Sequence, residues 1–156
     1  IVPGPMLAHK ASKEGEVCAE AMAGKPSAMD VAAIPNVVYT DPEIATVGPT
    51  LQELQDSGRK LKIGKFPFGA LGRAMTADAT EGFARVIGDA ETGQVLAVQV
   101  VGAEASELVA EAGFALEMSA DLEDIALTVH AHPTMAESLM EAAKAALGEA
   151  IHSINR

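Results

Sequence analysis

The sequence predicts an α+β domain, a mainly antiparallel sheet flanked by helices, preceded by one separate helix. Three observations lead there. Strand-forming runs gather in the middle of the chain and precede the helices instead of alternating with them. Two of those runs, residues 82–87 and 95–101, flank Gly88-Asp89-Ala90-Glu91-Thr92-Gly93, a hairpin signal with strong strand formers on both sides. Apolar residues then recur at helical spacing in the last third.

Taken in order, the elements are as follows. Pro5 suits the first position of a helix, because its missing N–H costs nothing there. Leu7, Ala11, Gly15, Cys18 and Met22 form one stripe of that helix, and Gly24 and Pro26 end it. Cys18 reads as a packing residue on this stripe. Small residues from 25 to 35 form a linker, which places a domain boundary between 1–33 and 34–156. Residues 37–40 read as a buried strand, and 43–47 resume extended after Asp41-Pro42. Thr50 and Glu53 have capping-box spacing, so a short helix is expected over 51–57. Residues 61–68 read as a strand and 69–72 as a loop. After the hairpin, Ala105, Leu108, Val109, Ala112 and Leu116 mark an amphipathic helix. Asp121 can cap a short helix through Leu127, and a final helix is expected from about Thr134 to His152.

Composition narrows the function. A chain of 156 residues, 49% hydrophobic and 21% charged, has the makeup of one folded domain. No uncharged apolar run reaches the roughly 18 residues of a spanning helix, so no membrane partner is expected. Eleven Lys and Arg against 22 Asp and Glu give a net charge of −11, which repels phosphate backbones and argues against nucleic acid. Cys18 is the sole cysteine, so dithiol chemistry would need a second thiol from elsewhere. Ile1-Val2-Pro3-Gly4 reads as a loop, and the chain is expected to be part of a longer protein. There is no Gly-rich phosphate loop and no Ser in a strained nucleophile turn.

Chemical interest concentrates in His130-Ala131-His132-Pro133-Thr134-Met135-Ala136-Glu137. Three readings of this segment stand. Thr134 and Glu137 have the spacing of a capping box, which would leave the histidines as loop residues. On an extended segment His130 and His132 point to one side and, with Glu137, could ligate a metal, although no second His-rich segment completes such a site. Alternatively, Glu137 accepts a hydrogen bond from one ring nitrogen of His132 and leaves the other free to exchange a proton. A carboxylate in that position fixes the tautomer and stabilises the imidazolium, a combination suited to deprotonating a thiol.

The segment 130–137 resembles the carboxy-terminal signature of the dihydrolipoamide dehydrogenase family of flavoprotein disulfide reductases. Two further stretches match in the same order. Tyr39-Thr40-Asp41-Pro42-Glu43-Ile44-Ala45-Thr46-Val47-Gly48 resembles the opening of that family's interface domain. Gly4-Pro5-Met6-Leu7-Ala8-His9-Lys10-Ala11 resembles the end of its flavin-binding region. The resemblance implies that His132 is the acid–base catalyst and Glu137 its carboxylate partner. It implies that Met6, Leu7, Ala8 and His9 lie along FAD, largely through backbone groups at a helix start. It further implies a homodimer in which each His serves the other subunit, and FAD and NAD as cofactors of the full-length enzyme. Reduced lipoamide, or the lipoyl domain of a 2-oxoacid dehydrogenase complex, would be the partner, in the cytoplasm. The glycine fingerprints and reactive cysteine pair of a complete enzyme are not among these residues. On its own, therefore, the chain is expected to be inactive and to bind no cofactor. A stand-alone dimerisation or binding module, and the matching domain of a glutathione-type reductase, are the alternatives.

Overall fold

The computed structural model describes residues 2–155, which leaves Ile1 of the expected opening loop outside the described residues. Five strands, β1 (Asn36–Val38), β2 (Ile44–Val47), β3 (Leu61–Pro67), β4 (Gly82–Asp89) and β5 (Val95–Gly102), form one sheet. Its order is β1-β2-β5-β4-β3, and every neighbouring pair is antiparallel. Six helices complete the described chain: α1 (Ala8–Met22), α2 (Leu51–Asp56), α3 (Gly72–Thr76), α4 (Ala105–Glu117), α5 (Leu122–Leu127) and α6 (Glu137–Leu147). The expected α+β architecture is the one observed.

The core follows from strand alternation. Ala84 and Val86 of β4 stand opposite Val100 and Val98 of β5, and all four are buried in the main core with Phe66, Leu108, Leu122 and Leu139. Ile87 pairs with Ala97 on the other face, where they meet Leu54 of α2 in a second, smaller cluster. A shift of register after Ile87 pairs Gly88 with Val95, which passes over Leu96 and returns Val95 to the main core. Alternation alone lets β5 feed both clusters, through Val98 and Ala97, and the slip sends Val95 to the main-core face instead of that of Ala97.

Helix α6 lies unusually close to β3. A Cβ at residue 64 would overlap the carbonyl oxygen of Ala142 and the amide nitrogen of Ala146. The glycine is required there by space, since the helix backbone occupies the position of a side chain. At the other end of α6, Gly148 takes a left-handed conformation, φ +78°, and stops the helix.

Several expectations need correction. The first helix begins at Ala8, not Pro5, and its apolar stripe is not buried; Lys10 is its only buried residue. Cys18 is exposed, so it is not a packing residue. Helical spacing in a sequence says which residues share a face, not what covers that face. β1 is shorter than expected and lies at the sheet edge with Val38 and Tyr39 exposed, because an edge strand has a neighbour on one side only. Residues 69–72 are not a plain loop: a 3-10 turn (Phe68–Ala70) leads into α3, and Leu71 and Ala74, three apart, both point into the core. α6 starts three residues later than expected and ends at Leu147, where Gly148 overrides the apolar pattern. The capping box of Thr50 and Glu53 forms as expected, over a helix ending at Asp56.

Replacing Gly64 with alanine should push α6 off β3. The expected cost is about 1–3 kcal/mol of unfolding free energy, the range for forcing a methyl into filled space. Urea denaturation of wild type and Gly64→Ala, compared at equal slope, measures it.

Candidate functional site

The segment joining α5 to α6 carries the candidate side chains His130 and His132. α5 stops when Thr128 turns extended, φ −63° and ψ 126°, and Thr128 Oγ1 donates back to the carbonyl of Asp124 at 2.7 Å. The chain then runs without regular structure to α6, anchored just before that helix by the buried side chain of Met135. Within it, Thr134 Oγ1 donates to the carbonyl of Ala131 at 2.7 Å, and the His132–Pro133 peptide bond is cis.

Glu137 is the first residue of α6, and its two carboxylate oxygens do different things. Oε1 accepts from Nδ1 of His132 at 2.9 Å. Oε2 accepts from the backbone N–H of Thr134 at 2.8 Å. The capping-box reading and the paired-histidine reading are therefore not exclusive: one carboxylate serves both, each through its own oxygen. Donation from Nδ1 puts the proton of a neutral ring there and leaves the Nε2 lone pair available. The His132 side chain is 76% exposed, and Nε2 has no hydrogen-bond partner among the described residues. Gly72, at the start of α3, lies beside the ring, at ordinary van der Waals distance from its Cε1.

Partial burial of Glu137 works against its charge. The Thr134 N–H, the hydrogen bond from His132, and the positive charge available to His132 and His130 together outweigh that burial. The net result holds the Glu137 carboxyl below the usual carboxylate value.

His130 lies in a different setting. Its Nε2 bonds Oε1 of Glu111 at 2.8 Å, and its Nδ1 bonds the carbonyl of Thr128 at 2.9 Å. Its side chain is only 6% exposed. The metal reading placed His130, His132 and Glu137 around one ion. Instead His130 turns to α4 and His132 to α6, and no group of three or more potential ligands occurs among the described residues. Glu111 was missed in the sequence. It lies 19 residues before His130, and only the register of α4 against this loop brings them together.

Met6, Leu7, Ala8 and His9 occupy the start of α1. Leu7 is the extended residue before the helix, with no side-chain cap, and Met6 is fully exposed. The first-turn N–H groups of a helix have no carbonyl partner within it, so Ala8 and His9 present free donors at this end. The ring of His9 is used elsewhere: Nε2 donates to the carbonyl of Pro35 at 2.8 Å and ties α1 to the strand that follows. No hydrogen bond or ion pair joins residues 6–9 to His132 or Glu137 among the described residues.

One apolar surface flanks the loop. Phe114 and Met118 at the end of α4, Leu127 at the end of α5 and Val129 are all exposed. Phe114, Met118, Ile125 and Val129 line a groove that runs up to His130.

Comparison with known proteins bears on these features. Residues 34–143 match the family described as the pyridine nucleotide-disulphide oxidoreductase dimerisation domain. The chain is 56% identical over 156 residues to a dihydrolipoyl dehydrogenase of Halobacterium salinarum, which covers 100% of this chain and 33% of that protein. It is 52% identical over 156 residues to a dihydrolipoyl dehydrogenase of Geobacillus stearothermophilus, with the same coverage. The chain thus spans about a third of the length of these relatives. Among solved structures, LpdA of Mycobacterium tuberculosis superposes with a TM-score of 0.83 at 25% identity, over 92% of this chain and 31% of that one. The flavoprotein disulfide reductase RclA of Escherichia coli superposes with a TM-score of 0.84 at 19% identity, over 90% of this chain and 33% of its own, a likeness of fold. With a five-stranded antiparallel sheet backed by helices and a matching profile over most of its length, this chain belongs to the pyridine nucleotide-disulphide oxidoreductase dimerisation-domain family.

Proposed function

We propose that this chain is the subunit-pairing part of a dihydrolipoyl dehydrogenase and supplies its acid–base pair, His132 and Glu137. Residues 34–156 would form the interface domain, and 1–33 the end of a flavin-binding domain. The observation that supports the chemistry most directly is the bond from His132 Nδ1 to Glu137, which leaves Nε2 open to solvent. In the reaction, Nε2 takes the proton from a thiol of reduced lipoamide. The thiolate attacks a disulfide contributed by the partner subunit, one S–S bond forms as another breaks, and His132 returns its proton to the departing thiolate. Glu137 stays ionised throughout and stabilises the imidazolium that forms between the two transfers. The dithiol reaching the site would be free lipoamide or a lipoyl domain of a 2-oxoacid dehydrogenase complex.

The residues at the start of α1 fit one edge of a flavin. Free N–H groups at a helix amino end can donate to the oxygens of its ring system, and the exposed backbone around Met6 and Leu7 leaves room for it. When bound, FAD would supply the two-electron redox chemistry that links the dithiol to NAD. In this chain only the backbone of 6–9 would touch the ring, so most of its binding must come from other parts of the enzyme.

The pairing face is assigned to the exposed apolar residues beside the loop. α6 spends Leu139, Ala142 and Ala143 inside its own domain, so the contact falls chiefly to Phe114, Met118, Leu127 and Val129 in the elements before it. A twofold contact uses this patch on both copies and brings each loop against its partner. Obligate homodimers bury on the order of 2,000 Å² or more. Sedimentation of the 156-residue chain should show a dimer at tens of micromolar, and Phe114→Glu should drive it to monomer. A wild-type monomer would remove the pairing role.

In the full-length enzyme, His132→Gln should lower lipoamide turnover by about 10²–10⁴-fold, as loss of a general base does. Glu137→Gln should cost less, since the imidazole remains. Mixing His132→Gln with a variant lacking the cysteine pair should restore activity in re-formed heterodimers, because each holds one complete site. Unchanged turnover in His132→Gln would leave only the capping role.

The lowered pKa of Glu137 sets the sign of a pH effect. A carboxyl lowered on folding stabilises the fold at pH above its unfolded value, about 4.3. That contribution is lost as pH falls through the folded value. The stability gap between wild type and Glu137→Gln should therefore narrow from about pH 5 downward. Denaturation midpoints measured across that range check it.

A further inference from the structure

Two histidines stand two residues apart in opposite environments. His132 is 76% exposed and uses one ring nitrogen. His130 is 6% exposed and uses both, Nε2 toward Glu111 at 2.8 Å and Nδ1 toward the Thr128 carbonyl at 2.9 Å. Both ring nitrogens of His130 are thus held by neighbouring groups, and neither is left open to a reacting thiol. His130 therefore cannot duplicate the role given to His132.

We infer that Glu111 and His130 are a positioning pair that pins the loop to α4 and so fixes the direction in which His132 presents Nε2. The inference rests on the acid–base reading of His132 and adds to it the residues that hold the base in place. Besides buried Met135, hydrogen bonds hold the loop at both ends. At its front, His130 is fixed between α4 and the carbonyl of Thr128. At its rear, Thr134 is held by Glu137 and by the Ala131 carbonyl. Residues 131–133 between them are exposed and bury no side chain that would set their course. Glu111 sits in the middle of α4, whose inner face is buried against the sheet, so the front anchor is attached to a rigid element. His130 is also near enough for a positive charge on its ring to favour the ionised form of Glu137. The pair thus supports the His132–Glu137 bond in position and in charge. The same helix ends in Phe114 and Met118, so the base is aimed from the element that carries the proposed pairing face.

The test is steady-state kinetics of the full-length enzyme with reduced lipoamide, for Glu111→Ala, Glu111→Gln, His132→Gln and the Glu111→Ala/His132→Gln double variant. Misplacing a reacting group by about 1 Å costs up to about 10²-fold. Glu111→Ala should lower kcat by about 10-fold or more, leave the lipoamide KM within about twofold, and shift the pH profile of kcat. Glu111→Gln, which keeps an acceptor for His130, should recover most of kcat. The double variant should be no slower than His132→Gln alone, because the pair acts only through that base. A folded Glu111→Ala dimer with wild-type kcat and pH profile would overturn the inference, as would a full additional loss in the double variant. If His132→Gln itself kept its activity, the acid–base reading would fail, a result distinct from either. Should Glu111→Ala fail to fold, nitrogen-15 histidine spectra of the wild-type enzyme decide: a His130 ring hydrogen-bonded at both nitrogens supports the pair, and a ring with a nitrogen free of any hydrogen bond overturns it.

Discussion

The placement of α6 on β3 governs the geometry of the site. Residue 64 has no side chain, so the helix backbone comes down to the strand and is fixed in height and rotation by contact with it. Leu139, Ala142 and Ala143 then lock that face into the core. Because Glu137 is the first residue of this helix, its carboxylate inherits a fixed position, and the loop before it is drawn in by two hydrogen bonds to that one group. A helix standing a few tenths of an ångström higher would carry the Glu137 carboxylate away from its two loop donors and loosen both bonds.

Burial and exposure divide the work along the loop. Met135 is buried, His130 is nearly so, and both fix the backbone. His132 is left in solvent with one nitrogen held and one free. The acid–base role proposed for His132 calls for a group that is oriented but not enclosed, and bonding at Nδ1 is compatible with both. Glu137, less exposed than the ring it serves, keeps its charge because donors surround it.

Much of this was legible in the sequence. The hairpin around residues 88–93 and the amphipathic run from Ala105 announced the sheet and the helix on it, because alternation and helical spacing are local properties. The His132–Glu137 pair was legible for the same reason: five residues and a helix start bring the two groups together. Glu111 was not legible, because its meeting with His130 depends on how α4 and the loop pack, which no local pattern encodes. The stripe of α1 misled in the opposite way: its spacing was helical, yet its cysteine faces outward. Gly148 was visible and underweighted, since a left-handed stop outranks the apolar residues beyond it.

The compactness of the His–Glu unit bears on how such a domain can change over evolutionary time. Donor, acceptor and the backbone that joins them lie within six consecutive residues and close on themselves. A duplication, fusion or exchange that moves this segment with its helix carries the His132–Glu137 bond with it, while Glu111, which meets His130 from α4, stays behind. The bond and the setting that aims it are in that sense separable, one written in a short stretch of chain and the other in the packing of a distant helix.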